Sequence, residues 1–204
     1  MRLVLASASP ARLAVLRAAG VEPLVRVSGV DEDAVAAALP DPTPDELVAA
    51  LAEAKARAVQ PGVTAEHGDA VVVGCDSMLF HNGEVAGKPG TVERTRERWA
   101  AMAGGTGVLL TGHAVLRGDR AAIGTERTTV RFGQPSEAEL AAYLASGEPL
   151  AVAGGFTLDG LGGWFVDGID GDPSSVIGIS LPLTRRLLAE VGVRVTDLWV
   201  TGTG

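Results

Sequence analysis

Lysine is nearly missing from this chain: of its 17 basic residues only Lys55 and Lys88 are lysine, and the rest are arginine. Cysteine is scarcer still, with Cys75 alone among 204 residues. A single thiol excludes an intrachain disulfide framework and any multi-cysteine zinc site, and it fits a reducing compartment. Aromatic residues make up 4% of the chain, so aliphatic side chains are expected to supply nearly all of the core. Positive charge is in deficit too. A net charge of −8 argues against a sequence-independent grip on a phosphate backbone, so no nucleic-acid polymer is expected as a partner.

Long hydrophobic runs are absent as well. The longest stretch without Asp, Glu, Lys or Arg, residues 99–116, is broken by Gly104, Gly105, Gly107 and Gly112 and reads as helix end, turn and strand, not as a membrane span. Leu3 to Leu5 are too few for a signal-peptide core before Arg12 and Arg17. A cytoplasmic location without a membrane partner is the expectation.

The rest of the composition, 47% hydrophobic and 21% charged, is that of a globular chain able to bury a core. Leu3 to Ala6 predicts a strand feeding a helix at Ser9 and Pro10 that Gly20 ends, followed by a strand around Leu24 to Val27. Thr43, Pro44 and Glu46 form a capping box for a helix to about Gln60, with Lys55 on the shoulder of its buried face. Ala70 to Cys75 reads as a buried strand that places Asp76 at or near its end, and Asn82 with Gly83 is a hairpin signal. Thr91 caps a helix toward Met102, and paired strands flank Gly118 and Asp119. Ser136 and Glu139 form a second capping box. Gly154 to Gly178 resists assignment; Leu181 to Val191 reads as a helix and Val193 to Val200 as a closing strand. Alternating strands and helices predict an α/β class with a mixed twisted sheet and flanking helices.

An acidic chain that binds phosphates needs a cation between its carboxylates and the ligand, which points to a divalent metal, magnesium or manganese. Lysine offers a compact point charge suited to a phosphate oxygen, so the two lysines kept in an arginine-rich chain are candidate phosphate ligands. Gly87 and Pro89 set Lys88 on a loop after the hairpin that follows Asp76, whereas Lys55 has a solvated surface position as its alternative. A carboxylate ending a buried strand, as Asp76 is read, must be paired or metal-bound, the alternative being a structural cap. Glu32, in an acidic loop after a strand, is a second candidate ligand or a solvated turn residue. Ser7 to Arg12 places hydroxyls, amides and a guanidinium at a helix start that favours an anion, or else is a capped helix with a surface arginine.

Three blocks carry a more specific signal: LVLASASPAR at the start; VVVGCDSMLFHNGEVAGKP followed by TGHAVL; and YLASGEPLAVAGGFTLDGLGGWFVDGIDGDPSSVIGISLPL near the end. In this order they resemble the Maf family, often labelled septum-formation inhibitors and understood as nucleoside triphosphate pyrophosphatases. The resemblance implies a single Maf-like domain over residues 1–204. It implies an elongated, two-lobed mixed α/β fold with a central cleft, similar to inosine-triphosphatase-like enzymes, and a homodimer. It implies catalytic Asp76, with Lys88 and Lys55 on the phosphates, Glu32 and Asp76 on the metal, and phosphate binding by Ser7 and Arg12. The chain departs from the family at Ala11, where relatives carry a second arginine, at Ser77 in place of threonine, and at Asp159 in place of a base-reading glutamine. Asp159 is accordingly expected to face the base or else to cap the turn at Gly160. The expected activity is hydrolysis of noncanonical or pyrimidine nucleoside triphosphates linked to cell-division arrest, with a nucleotide-binding regulator of septum formation as the alternative.

Overall fold

A computed structural model describes residues 1–200 of the protein. Along the chain it places β1 (Arg2–Leu5), α1 (Pro10–Ala18), β2 (Leu24–Val25), α2 (Glu32–Ala37), α3 (Pro44–His67), β3 (Ala70–His81) and β4 (Glu84–Ala86). These are followed by α4 (Val92–Met102), β5 (Thr106–Arg117), β6 (Arg120–Phe132), α5 (Glu137–Ala145), β7 (Val166–Asp170), α6 (Pro173–Ile177) and α7 (Leu181–Glu190). The strands make one mixed sheet in the order β2-β1-β3-β5-β6-β7, with β4 beside β3, so the α/β class read from the sequence is correct. The chain divides into two compact units. One comprises Met1–Asp76, Thr111–Glu126 and the chain from Gly178 onward, and the other Ser77–Leu110 and Arg127–Ile177.

In the first unit β1 pairs in parallel with β2 and with β3, in register Leu5↔Val25 and Leu5↔Val73. Side chains alternate across these strands, so Leu3, Leu5, Val71 and Val73 pack with Leu16 of α1 and Leu187 and Leu188 of α7. Val4, Ala6 and Val72 pack with Ala52, Ala56 and Val59 of α3 on the other face. With both faces covered, the strands are apolar throughout, and each fully buried aliphatic side chain contributes roughly 1.5–3 kcal/mol.

Helix α3 begins as the capping box requires, with Thr43 accepting from Glu46 N–H and Glu46 reaching back to Thr43. It runs past Gln60 to His67 in spite of Pro61. Pro61 lies on the exposed face, while Val63, 3% exposed, joins the core one turn beyond Val59, which offsets the missing hydrogen bond. Two glycines let α3 lie against the sheet. A Cβ at Gly74 would collide with the Ala52 carbonyl, and one at Gly112 with that of Val48. Close packing at both positions fixes the height of Lys55 above β3.

The second unit contains the β3–β4 hairpin, whose Asn82 and Gly83 both take positive φ as the turn signal requires. Strand β7 pairs antiparallel with β6. Aliphatic side chains supply most of the core, as expected, and the aromatic exceptions lie here. Trp99 meets Phe132, Tyr143 and Phe165 edge-on at ring-centroid distances of 5.9, 6.0 and 6.0 Å, and its Nε1–H donates to the Gly155 carbonyl at 2.9 Å. The few aromatics of the chain are concentrated in this one core.

The expected closing strand is also corrected. Residues Val195–Asp197 form a 3-10 turn, and the segment makes one antiparallel bridge, Val21↔Trp199, which lies outside the strands of the sheet. Val193 and Leu198 are buried by that turn, so the apolar alternation reflected burial and not strand pairing. Among the described residues no helix is long and apolar enough to cross a membrane.

Candidate active site

Strand β1 pairs in parallel with β3, and its carboxyl end, the edge where open α/β sheets place ligands, leads to Ser7. Ala6 N–H donates to the Val73 carbonyl at 2.8 Å as the last backbone bond between them. Ser7 follows directly on one strand, and Asp76 lies three residues beyond Val73 on the other.

Asp76 does not end its strand, as the sequence suggested, because β3 continues to His81. It lies where the chain leaves the first unit and is 6% exposed. Lys55 is more buried than the shoulder position implied, at 8% exposed. Its Nζ donates to Asp76 Oδ1 at 2.6 Å and lies 2.7 Å from Glu32 Oε1. Glu32 is not in a loop but is the first residue of α2, which Asp31 caps by accepting from Ala34 N–H. One buried ammonium is thus shared by two carboxylates, which leaves the group a net negative charge. Asp76 Oδ2 is buried and has no hydrogen-bond partner among the described residues. An orphaned anionic oxygen is costly unless a proton donor or cation meets it.

Ser7 and Arg12 come together as a second group in the same unit. Ser9 caps α1, and Pro10 occupies the first turn. Arg12 donates from Nη1 to Ser7 Oγ at 3.0 Å and from Nε to the Gly178 carbonyl at 2.8 Å. Ser9 N–H donates to Ser7 Oγ at 3.2 Å. Both groups act on Cys75: burial pushes its thiol up to about 11, the Arg12 charge pulls against this, Asp76 adds to it and Lys55 opposes it. Cys75 is therefore an inert core thiol beside two candidate cations.

Lys88 and Asp159 belong to the second unit. Lys88 is exposed on a loop pinned at both ends. The Gly87 carbonyl accepts from Arg98 Nη1 at 2.6 Å and from Gly154 N–H at 3.2 Å, and Gly90 N–H donates to the Leu150 carbonyl at 3.0 Å.

Asp159 is exposed and does not close the glycine-rich turn around it; that task falls to Glu148. The Glu148 carboxylate accepts from Thr157 Oγ1 at 2.5 Å, Leu161 N–H at 3.1 Å and Gly162 N–H at 3.2 Å. Burial acts to raise the pKa of Glu148, but the bonds from Thr157, Leu161 and Gly162 outweigh it and hold the group below its ordinary value. The sequence reading missed Glu148. Its position just before Pro149 in the third block was the available signal.

Among the described residues no three of His, Cys, Asp and Glu cluster as a metal site. An apolar cavity of about 340 Å³ in the first unit, lined by Leu3, Leu16, Leu188 and Trp199 among others, includes none of the candidate residues.

Residues 2–191 match the family model described as Maf-like protein. The chain belongs to the Maf-like family. Its three sequence blocks fall on β1 with α1, on β3 with β4, and on the stretch from α5 to α7, so the Maf-like blocks hold every candidate except Glu32 and Lys55. Among the relatives of this Maf-like chain, a protein of Saccharopolyspora erythraea is 69% identical over 205 residues, covering 98% of this chain and 97% of its own. One of Rhodococcus erythropolis is 64% identical over 98% of this chain and 97% of its own, and one of Mycolicibacterium gilvum 56% identical over 97% and 98%. All three relatives are named nucleoside triphosphate pyrophosphatase.

Proposed function

We propose that this chain is a nucleoside triphosphate pyrophosphatase that hydrolyses its substrate to the monophosphate and pyrophosphate. The observation that carries the reading is the buried Lys55 shared by Asp76 and Glu32, with Asp76 Oδ2 left unpartnered. A module that only held nucleotide would gain nothing from a buried anionic oxygen. Relatives over nearly the whole chain that carry this name support the same reading.

The donor set fits a divalent cation, magnesium or manganese. The orphaned oxygen of Asp76 and the half-exposed Glu32 are two hard carboxylate ligands, and magnesium is commonly held by one or two carboxylates together with substrate phosphates. Asp76 and Glu32 would hold that ion, which when bound neutralises charge on the phosphates.

Lys55, engaged at Asp76 Oδ1, orients the carboxylate so that Oδ2 keeps one lone pair for the proton that the attacking water releases, beside the lone pair that would hold the ion. The water oxygen bonds to the α-phosphorus, the bridge between the α and β phosphates breaks, and pyrophosphate leaves with the electron pair. Lys55 and Lys88 offset the charge that develops on the phosphate oxygens, while Arg12 and Ser7 bind the phosphates. Asp159, acceptor-only when ionised, selects bases that present N–H donors. We place the activity in the cytoplasm, in a homodimer, clearing noncanonical or pyrimidine triphosphates with arrest of septum formation as its cellular consequence.

The test incubates the protein with a panel of normal and modified triphosphates plus magnesium or manganese and identifies the products. Monophosphate with pyrophosphate supports the reading, and release of single phosphate contradicts it.

A further inference from the structure

His113 is the one histidine with no exposed surface, and nothing in the reaction above uses it. Its Nε2 lies 2.8 Å from the Ser180 amide, and its Nδ1 lies 2.9 Å from the Thr111 carbonyl. A backbone amide can only donate, so Nε2 must accept, and the ring proton resides on Nδ1, where it faces Thr111. The ring is therefore neutral and held in one tautomer. An aliphatic side chain would fill such a site without a polar group to satisfy, so the imidazole is informative through the bond it makes.

That bond reaches a short turn with a second role. Ser180 caps α7 through its own Oγ, which accepts from Leu183 N–H at 3.1 Å, and Ile179 is fully buried in the core beside it. Gly178, at φ +130°, turns its carbonyl to the Arg12 Nε, 2.8 Å away. A Cβ on Gly178 would stand 3.2 Å from that Nε and 3.3 Å from Arg12 Cγ. The guanidinium is thus fixed from one side by Gly178 and from the other by Ser7. All of these residues lie in the first unit.

We propose that His113 is a positioning residue that aims Arg12 at the substrate phosphates by anchoring the Gly178–Ser180 turn. The proposal rests on the reading of Arg12 as a phosphate contact. Without the imidazole acceptor the Ser180 amide must find another partner, the turn shifts, and the Gly178 carbonyl no longer sets the guanidinium direction. Loss of a binding contact made equally in ground and transition states raises KM and leaves kcat nearly unchanged.

The experiment measures KM and kcat for the best triphosphate in wild type, Arg12→Ala, His113→Leu and the double variant, with melting curves for each. His113→Leu should raise KM about tenfold, a coupling size usual for side chains in one network, while kcat stays within about twofold. His113→Gln, whose Oε1 can accept from the Ser180 amide, should restore most of the loss. In the Arg12→Ala background His113→Leu should raise KM no further. An equal KM increase in both backgrounds overturns the positioning role while leaving the phosphate role of Arg12 intact. An unchanged KM in Arg12→Ala alone overturns the phosphate reading and the proposal with it. If His113→Leu does not fold, His113→Phe, which fills the site without an acceptor for the Ser180 amide, takes its place. Its effect must likewise vanish in the Arg12→Ala background, and additivity there overturns the proposal.

Discussion

Lys55 Nζ stands 2.6 Å from Asp76 Oδ1 and holds one oxygen of a carboxylate whose other oxygen is buried without a partner. The pair joins the long helix α3 to the central strand β3, and the close approach at Gly74 sets its spacing. Charge, burial and an unused acceptor thus meet at one atom, Asp76 Oδ2.

Asp76→Asn removes that anionic oxygen at nearly constant volume. Turnover should fall by roughly 10²- to 10⁴-fold, the range for loss of a positioned acid–base group. The melting temperature should move by only a few degrees, because Lys55 keeps Glu32 as a partner. Near-normal activity with an unchanged melting curve removes Asp76 from the chemistry.

Lys88 sits on a loop pinned through Gly87 and Gly90, so its position is set by backbone bonds and not by its own side chain. Lys88→Ala should lower kcat by roughly 10²- to 10³-fold while leaving stability intact. Lys88→Arg should recover only part, since a planar fork replaces a point charge on a constrained loop. Full recovery with arginine would reduce Lys88 to a general surface charge.

Asp159 is exposed, and Glu148, not Asp159, closes the turn around it. This favours a base-facing role over a capping one. Asp159→Gln adds a donor to an acceptor-only site, so kcat/KM for CTP should improve relative to UTP, dTTP and GTP by roughly tenfold, the scale of one mispaired polar group. A uniform change across all four substrates means that Asp159 does not read the base.

Glu148 is held below its ordinary pKa, so its support for the turn is fully present above the unfolded carboxylate value of about 4.3 and is lost as pH falls through the lower folded value. Hydrogen-exchange protection factors at the Leu161 and Gly162 amides should therefore persist at neutral pH and collapse only below about pH 4. In Glu148→Ala they should be low at every pH. Equal protection in wild type and Glu148→Ala shows that the turn holds without the carboxylate.

Much of this was legible in the residues because the signals were local. Thr43 with Glu46, Ser136 with Glu139, and Asn82 with Gly83 each fix an element within four positions, and each forms as read. Lys55 and Lys88 stood out by rarity alone. What escaped depends on contacts distant in sequence. Val63 carries α3 past Pro61 by packing on the sheet, and Trp99 gathers aromatics from three separate segments. Burial of Val193 and Leu198 by a 3-10 turn mimicked strand alternation. In the site, the bonds from Glu148 to Gly162 and from Gly178 to Arg12 span 14 and 166 positions, with no local pattern to announce them.

Attack of water on the α-phosphorus is read out by hydrolysis in water labelled with heavy oxygen. Mass spectrometry of the separated products should find the label in the nucleoside monophosphate and none in the pyrophosphate. Label in pyrophosphate, or in free phosphate, would place the attack at another phosphorus and contradict the account.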